Sequence, residues 1–318
     1  MTHSRPSADR LPQPDVLVVS RLVLDDLHLP DGSVSTGIPG GSGFWAAFGA
    51  ALVADEVALT CKVGGDADPY RELLERLGVR TDGFVRVERP TSRTIVTYPR
   101  GEERHERPLP DWEAHVAMRT MAEEFPESVA SPHGYYVFRG WHPGFWEGLL
   151  PVVRERDVPL LWEIPASICT PAERPRITEV LRDTGILSLN LDEASALCGG
   201  TDEDDLLDGL HRLGAPVVAM RRGARGAVVS DGTRIVEALP PEGSVPVDVT
   251  GAGNAFSGAF LAEHLRSGGD IGAATSAAMA ASAVAISRIG PPHDRTEARQ
   301  QWAAFRSAVQ ITEKEKRG

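Results

Sequence analysis

Three small residues, Gly251-Ala252-Gly253, lie directly before a segment whose apolar spacing predicts a helix from about residue 253 to 266. The first turn of a helix presents backbone N–H groups without intrahelical partners and carries partial positive charge. Glycines allow an anion to approach that backbone closely. The chemistry indicated here is the binding of a phosphate group. The alternative is a tight strand-to-helix turn that needs glycine only for steric reasons.

Two better-known phosphate-binding patterns do not fit this stretch. A Walker A loop requires Gly-Lys-Ser/Thr, and the dinucleotide-binding fingerprint lies early in a chain, after a strand. A phosphate site at residues 251–253 is therefore of another kind.

Aromatic and charged side chains follow two predicted strands in the preceding half of the chain. These stretches are Arg139-Gly-Trp-His142 and Trp162-Glu163. Ligands of open α/β sheets bind outside the carboxyl ends of the strands. We therefore expect an aromatic acceptor pocket at this edge, with Arg139 or Arg93 able to meet an anion. Each tryptophan considered alone is equally compatible with a place in the core.

The elements that must position these residues alternate between strands and helices from residue 15 onward. Such alternation predicts an α/β fold with a mainly parallel sheet and helices on both faces. Two polar extended stretches, 22–38 and 84–108, do not fit this sheet and are predicted to form a small β lid over it. The predicted domain covers residues 15–311, with a disordered tail at 1–14 and a frayed end at 312–318.

Composition excludes several classes of partner. Among 318 residues, 33 Lys and Arg stand against 45 Asp and Glu, which gives a net charge of −12. This balance argues against nucleic-acid or anionic-membrane partners, although a small phosphorylated ligand remains compatible. Cys61, Cys169 and Cys198 have no disulfide or zinc spacing, so we expect reduced thiols in a cytoplasmic protein. The uncharged stretch 271–287 is rich in Ala and Ser, which favours a buried helix over a membrane span.

A family resemblance is carried by the stretch from Asp248 to Phe256, Asp-Val-Thr-Gly-Ala-Gly-Asn-Ala-Phe. It resembles the second signature of the PfkB (ribokinase-like) sugar and nucleoside kinases, Asp-Thr-x-Gly-Ala-Gly-Asp-x-Phe. Further stretches agree with the family in order along residues 15–309, and they are Pro39–Gly43, Lys62–Asp66, Asn190–Glu193 and Arg222–Gly226. The resemblance implies a ribokinase-like fold and transfer of a phosphoryl group from ATP to a hydroxyl of a sugar, nucleoside or related small molecule.

The resemblance also implies roles for individual residues. The anion hole for the transferring phosphate would consist of Gly251, Ala252 and Gly253. The residues implied for the nucleotide and its cations are Asn190, Glu193, Arg222, Gly223, Gly226, Asp248 and Thr250. Of these, Glu193 would hold Mg²⁺ through water, and Asp248 a monovalent cation such as K⁺. The residues predicted for the acceptor are Asp25, Gly40, Gly41, Trp45, Arg139 and Glu163. Pairing of lids would give a homodimer.

The chain departs from the family pattern at its catalytic base, where Asn254 replaces the usual Asp. An amide can orient a hydroxyl but cannot accept its proton at neutral pH. Because a general base contributes about 10²–10⁴-fold, three explanations compete. The protein is a kinase with another base, for which Glu163 and Asp25 are candidates, or it acts on a nucleophile that needs no base. Otherwise it is a catalytically silent nucleotide- or metabolite-binding protein with a regulatory or partner role.

A second departure is Trp45, which stands where many sugar kinases of the family carry Asn. An indole removes a polar clamp and offers a large apolar face. We therefore expect a stacking surface for a nucleoside-like or otherwise decorated acceptor rather than for a plain hexose.

Overall fold

The computed structural model describes residues 11–29, 31–97 and 105–316. In chain order, its strands are β1 (Val16–Val19), β2 (Val23–His28), β3 (Val34–Gly40), β4 (Val57–Val63), β5 (Val79–Arg80), β6 (Phe84–Arg86), β7 (Arg93–Thr97), β8 (His105–Leu109), β9 (Tyr135–Phe138), β10 (Leu160–Glu163), β11 (Ile186–Asn190), β12 (Val217–Arg221), β13 (Ala227–Ser230), β14 (Arg234–Ala238) and β15 (Ile311–Glu315).

The helices alternate with these strands over most of the chain. They are α1 (Gly41–Val53), α2 (Asp68–Arg76), α3 (Trp112–Ala117), α4 (Pro143–Arg156), α5 (Arg174–Leu181), α6 (Leu191–Cys198), α7 (Glu203–Arg212), α8 (Ala252–Arg266), α9 (Ile271–Ile286) and α10 (Arg295–Ala308). Within the described part of the chain, no helix is long and apolar enough to cross a membrane.

The main sheet has the strand order β15-β14-β13-β12-β11-β10-β9-β1-β4-β5, with β6 also paired to β4. The strands from β12 to β5 in this order run parallel, whereas β13, β14 and β15 pair antiparallel. The predicted α/β fold with a mainly parallel sheet is confirmed. The carboxyl ends of seven parallel strands therefore meet at one edge of the sheet, where ligands of such folds bind.

Helices cover both faces of this sheet. Successive side chains of a strand point to opposite faces, so each strand contributes to two cores. In β1, Val16 and Val18 pack into the core shared with α1, α2, α8, α9 and α10. Leu17 and Val19 pack into the second core, with α4, α5, α6 and α7. All four side chains are buried, as expected for a strand with helices on both sides.

Four strands form a separate small sheet in the order β3-β2-β7-β8. It contains most of the two segments predicted as a lid, and we call it the small sheet. The predicted bounds, about 22–38 and 84–108, differ from the structure at three places. Residues 84–86 belong to β6 and pair with β4 of the main sheet, while β3 and β8 extend to Gly40 and Leu109. Residues 98–104 of the second predicted stretch lie outside the described residues.

The C-terminal residues form an ordered edge strand, so the prediction of a frayed end at 312–318 was wrong for the part that the structure describes. Ile311–Glu315 pair antiparallel with β14, and Lys316 N donates to Thr233 O at 2.8 Å. The strand is rich in charge, which is common where a sheet edge faces solvent. This pairing satisfies the backbone of β14 and could not be deduced from local sequence.

Helices α1 and α8 approach each other closely, and this contact positions the candidate site. A Cβ atom on Gly49 would lie 2.1 Å from Ala255 O, and one on Gly258 would lie 2.0 Å from Ala46 O. Only glycine permits this distance between the backbones. The two helix N-termini, which carry the two glycine motifs, are thereby held side by side.

Candidate active site

The anion loop, Gly251-Ala252-Gly253, forms the N-terminus of α8. Gly251 has φ 78°, and a Cβ there would lie 2.1 Å from the Trp45 ring, so both backbone and space require glycine. No side chain caps this helix end, and no acidic residue lies in its first turn. Its backbone N–H groups, apart from that of Ala252, which donates to Val249 O at 3.3 Å, therefore favour an anion at this helix end.

A cation lies against this loop. A Cβ on Gly253 would lie 2.3 Å from Arg221 Nη1, so the guanidinium packs on the loop backbone. Arg221 ends β12, and its Nε donates to Leu189 O at 3.3 Å. The arrangement combines helix N–H groups with a fixed positive charge, which suits a phosphoryl group in transfer.

Asn254, in the first turn of α8, is bonded to a carboxylate. Its Nδ2 donates to Glu163 Oε1 at 3.1 Å and to the Tyr136 hydroxyl at 3.3 Å. The Tyr136 hydroxyl donates to Glu163 Oε2 at 2.8 Å. Because a carboxylate only accepts, the amide nitrogen of Asn254 must face it. Asn254 Oδ1 therefore faces away from Glu163 as an acceptor for an incoming hydroxyl.

Arg221 links this pair to a second carboxylate. Its Nη1 donates to Glu163 Oε1, and its Nη2 lies 3.8 Å from Glu193 Oε2. Burial works to lower the pKa of Arg221, but the charges of Glu163 and Glu193 outweigh it and raise the pKa. Burial and the charge of Glu163 raise the pKa of Tyr136 well above its ordinary value. Tyr136, Glu163, Arg221 and Asn254 form one hydrogen-bonded group, the Glu163 network, in which Tyr136 and Glu163 are buried and Arg221 and Asn254 are half-buried.

Asn190 and Glu193 stand where β11 passes into α6. Asn190 Oδ1 accepts from Glu193 N at 2.8 Å, and Glu193 Oε2 accepts from Asn190 N at 2.7 Å, which is a capping box. Burial raises the pKa of Glu193, and the charge of Arg221 opposes this. Among the described residues, no group of three or more His, Cys, Asp or Glu could hold a metal ion. Carboxylate and amide oxygens are ligand types that suit a Mg²⁺ ion with its water shell, and this capping box contains one of each.

The predicted nucleotide loop follows β12 as a short turn at Gly223–Arg225. A Cβ on Gly223 would meet nothing within 4 Å, so its backbone is open to a ligand. Gly226 closes the turn, with its O accepting from Arg222 N at 2.7 Å. The Arg222 side chain departs from the prediction of nucleotide contact. It is buried and forms ion pairs with Glu203 at 2.8 Å and Glu237 at 3.2 Å, so it supports the loop.

Asp248 and Thr250 shape the approach to the anion loop. Thr250 N donates to Asp248 Oδ1 at 2.9 Å. The backbone N–H groups of Val247 and Asp248 both donate to Ile286 O, at 2.7 and 3.2 Å. The segment is thus attached to the end of α9.

On the acceptor side, Asp25 is a buried carboxylate beside the first glycine motif. A Cβ on Gly40 would lie 2.1 Å from Asp25 Oδ2, which places the carboxylate against the backbone that leads into Gly41. Trp45 does not provide the expected stacking surface. Its side chain is 3% exposed and packs under Gly251, where it supports the anion loop.

Two tryptophans fix the backbone at the end of β9 from within the core. Trp162 Nε1 donates to Arg139 O at 2.8 Å, and Trp146 Nε1 donates to Gly140 O at 3.2 Å. Their rings meet edge to face with centroids 5.2 Å apart. The predicted aromatic pocket is therefore only partly aromatic, since these rings lie behind its wall.

A cavity of about 550 Å³ opens at the carboxyl ends of β1, β9 and β10, where the sequence predicted an acceptor pocket, and we call it the acceptor cavity. Its charged lining consists of Arg21, Arg119, Arg139 and Glu106, and Trp112 and Trp141 also face it. Arg93, the other predicted anion ligand, lies elsewhere: it is 3.7 Å from Asp26 and lines a separate cavity of about 510 Å³.

The family model of the pfkB family carbohydrate kinases matches residues 18–298. The chain belongs to this family. A cytidine kinase of Thermococcus kodakarensis is 29% identical over 266 residues, which cover 79% of this chain and 89% of that protein. An adenosine kinase of Sinorhizobium meliloti has a similar structure, with TM-score 0.76, 20% identity and coverage of 91% and 99%. A ribokinase of Arabidopsis thaliana, solved with ribose and ATP, gives TM-score 0.69, 19% identity and coverage of 92% and 99%.

Within this PfkB fold, the structure brings together the predicted residues Gly251, Gly253, Asn254 and Glu163, and connects Glu193 to them through Arg221. Sequence reasoning missed Arg221, although it ends a strand directly before the predicted nucleotide loop. It also missed Arg21, which follows β1 and could have been found by the same strand-end rule that identified Arg139. Tyr136 lies inside an apolar run, and nothing in the local sequence marks it.

Proposed function

We propose that this PfkB protein is an ATP-dependent kinase that transfers the γ-phosphoryl group to a hydroxyl of a small-molecule acceptor. The observation that carries the proposal is the bond from Asn254 to Glu163, 3.1 Å long, beside the anion loop. The two residues provide an oxygen that orients the acceptor hydroxyl and a carboxylate. Both lie at the helix end where the phosphoryl group would be transferred.

The charge that develops on the transferring group is met by this chain in two ways. Phosphoryl transfer depends on positioning and electrostatic stabilisation rather than on covalent chemistry. The backbone N–H groups of Gly251 and Gly253 bind the phosphoryl oxygens, and Arg221 adds a positive charge that is already held in place by Glu163. A fixed cation needs little reorganisation when the charge develops.

The proton of the acceptor hydroxyl is handled by two residues instead of one. Asn254 Oδ1 accepts the hydroxyl hydrogen bond and aligns the nucleophile. In a loose transition state the proton leaves late, and it passes through solvent, because Asn254 Oδ1 faces away from Glu163, to that carboxylate one side chain away. An aspartate at position 254 would lose the bond to Glu163 and place two like charges together. The asparagine is thus matched to a carboxylate that lies one side chain away.

The nucleotide is placed at the turn formed by Gly223 and Gly226, whose backbone is open to a ligand at Gly223. Asn190 and Glu193 would hold Mg²⁺ through water, and the ion would neutralise charge on the ATP phosphates. Asp248, within its turn beside the anion loop, would hold K⁺. The names of the cytidine kinase and adenosine kinase relatives favour a nucleoside-like acceptor for this chain as well.

A second candidate function is a catalytically silent protein that binds nucleotide or metabolite. Asn254 favours it, because the amide is no base, and so does the engagement of Glu163 Oε1 by both Asn254 and Arg221. The other oxygen, Glu163 Oε2, accepts a single described bond, from Tyr136, and retains a lone pair for a proton, which favours the kinase instead.

The two functions are separated by measuring acceptor-dependent conversion of ATP to ADP with a panel of sugars, nucleosides and their derivatives. The kinase proposal expects turnover with at least one acceptor, and loss of that turnover in Glu163→Gln. Calorimetry with ATP is run in parallel. ATP binding without turnover for the whole panel identifies the silent protein, and absence of ATP binding contradicts both the kinase and a silent nucleotide-binding protein.

We also propose a homodimer formed by the small sheet, whose two edges are β3 and β8. Unpaired backbone groups at a sheet edge favour strand pairing with a second copy. Light scattering during size exclusion should give twice the chain mass. A monomer at micromolar concentration contradicts this proposal.

We propose that the protein is located in the cytoplasm, because its cysteines are free thiols. Cys61, Cys169 and Cys198 are free thiols, and burial raises the pKa values of Cys61 and Cys169 to about 12. Protonated, buried thiols suit a reducing compartment. Fractionation of cells that express the protein tests this.

A further inference from the structure

The acceptor cavity and the Glu163 network are linked through the end of β10, because Glu163 ends that strand and Pro165, two positions further on, lines the cavity. Its floor is formed by residues that follow β1, β9 and β10, which are neighbours in the sheet, and Glu163 is the last residue of β10. One wall comes from β8 and from the region of α3, through Glu106, Trp112 and Arg119. A volume of about 550 Å³ lies within the range that small-molecule sites occupy.

Three arginines line this cavity, and none of them has an ion pair within 4 Å among residues 11–29, 31–97 and 105–316. Arg139 donates through Nη2 to Thr120 O at 2.6 Å and lies 3.9 Å above the Phe145 ring. Arg21 Nη1 is buried without any hydrogen-bond partner in the described part of the chain. The guanidinium of Arg119 likewise has no described partner.

The balance of charge in the cavity is opposite to that of the chain. Three guanidinium groups face it against one described carboxylate, Glu106, whereas the chain as a whole carries a net charge of −12. A general excess of basic residues therefore does not explain the cluster.

Keeping these three cations together with one carboxylate is unfavourable. Burial and the charge of Arg119 lower the pKa of Arg21 to about 10, although the charge of Glu106 opposes this shift. Burial and the charges of Arg119 and Arg21 lower the pKa of Arg139 to about 9. A buried cation is stable when it is paired and hydrogen-bonded, and an anion in the cavity would supply both.

We propose that the acceptor is a small molecule with an acidic group, a phosphate or a carboxylate, bound by Arg21, Arg119 and Arg139 while its reacting hydroxyl lies at Asn254. This inference deepens the proposed kinase function and rests on it. Arginine suits the task, because its planar donors match phosphate and carboxylate oxygens in pairs. Arg21 has the unpartnered donor, and Arg139 is held in position by Thr120 and Phe145.

The test uses the full chain and acceptors in matched sets: a pentose with its 5-phosphate and its aldonate, and a nucleoside with its 5′-monophosphate. The proposal expects kcat/KM at least tenfold higher for an acidic member than for its neutral partner. The phosphate and carboxylate arms show which acid the cavity takes. Equal use of neutral and acidic members, or a preference for neutral ones, overturns the proposal.

Arg21→Met and Arg119→Gln tie the preference to the cavity. Each is expected to raise KM for the acidic acceptor tenfold or more, while thermal melting shows whether the variant is folded. A preference that survives in both folded variants also overturns the proposal.

Direct binding separates this proposal from that of the kinase. Calorimetry with the same acceptors, in a buffer without phosphate, is expected to show binding of acidic members that Arg21→Met weakens. Such binding with no ADP formed by any acceptor contradicts the kinase function but supports an acidic ligand for the cavity. ADP formation with neutral acceptors alone supports the kinase function but contradicts an acidic acceptor.

Discussion

The Glu163 network and the acceptor cavity are neighbouring regions that treat buried charge in opposite ways. In the network, Arg221 is paired with Glu163 and lies near Glu193, and its pKa is raised. In the cavity, Arg21 and Arg139 have no ion pair among the described residues, and their pKa values are lowered. The network is a preorganised set of groups, complete in the absence of ligand. In the cavity, burial of the arginine side chains becomes favourable only when an anion binds to them.

Removal of Arg221, the cation of the network, is expected to have the largest effect. Arg221→Met leaves Glu163 buried without its positive partner, which costs about 3–5 kcal/mol of folding free energy. It also removes the charge beside the anion loop, so kcat should fall about 10²–10³-fold. Urea unfolding and acceptor-dependent ATP turnover measure the two effects.

The adjacent arginine is the matched control. Arg222→Met breaks ion pairs with Glu203 and Glu237 at the loop, away from Glu163. We expect lower stability but a kcat within a few-fold of the unmodified protein. Similar losses of kcat in both variants would show that Arg221 has no special role at the anion loop.

A smaller effect is expected at the anion loop itself. Gly251→Ala combines a left-handed backbone with a collision against Trp45, and it should cost about 1–3 kcal/mol and displace the loop. Gly243→Ala is the control, because Gly243 has a similar φ of 82° and a Cβ there would meet nothing within 4 Å. Unfolding and ATP affinity should both change more in Gly251→Ala. Equal behaviour of the two variants would contradict the role assigned to the Trp45 contact.

The use of ATP is expected to depend on pH through Glu193. Burial raises the pKa of Glu193 against the opposing charge of Arg221, so Glu193 takes up its proton at a higher pH than an exposed glutamate, near 4.3. Because metal binding needs the carboxylate form, KM for ATP with Mg²⁺ should rise as pH falls through this raised pKa. Glu193→Gln should weaken ATP use and flatten the profile. An unchanged profile in that variant would assign the titration to another group.

The smallest effect is a gain of stability in the cavity. The lowered pKa of Arg21 means that its protonated form is disfavoured by folding. Its contribution to stability therefore improves as pH rises from about 10 towards the unfolded value, and at pH 7 the full penalty is present. Arg21→Met should raise the free energy of unfolding at pH 7 by about 1 kcal/mol in buffer without polyvalent anions.

A paired arginine elsewhere is the control for this gain. Arg80 Nη2 lies 2.8 Å from Asp82 Oδ2, and the hydrogen bond to Asp82 raises the pKa of Arg80. Arg80→Met should lose stability where Arg21→Met gains it. A loss in both variants would mean that the cavity arginines are already satisfied without a ligand.

The sequence predicted the parts of this molecule that depend on neighbouring residues. The strand–helix alternation, the glycine loop before α8 and the strand-end positions of Asn190 and Glu163 all follow from local pattern. Trp45 was placed at the correct helix but with the wrong role, because its direction depends on the packing of α1 against α8. The bond between Arg221 and Glu163, 58 positions apart, and the pairing of β15 with β14 arise only when the sheet assembles.

A double-mutant cycle on kcat/KM tests whether Glu163 supplies the carboxylate that is missing at position 254. Glu163→Gln and Asn254→Asp should each reduce kcat/KM, and the combined variant, which moves the carboxylate to position 254, should recover at least tenfold over Glu163→Gln. A combined variant as slow as Glu163→Gln, or an Asn254→Asp variant faster than the unmodified protein, would contradict the claim.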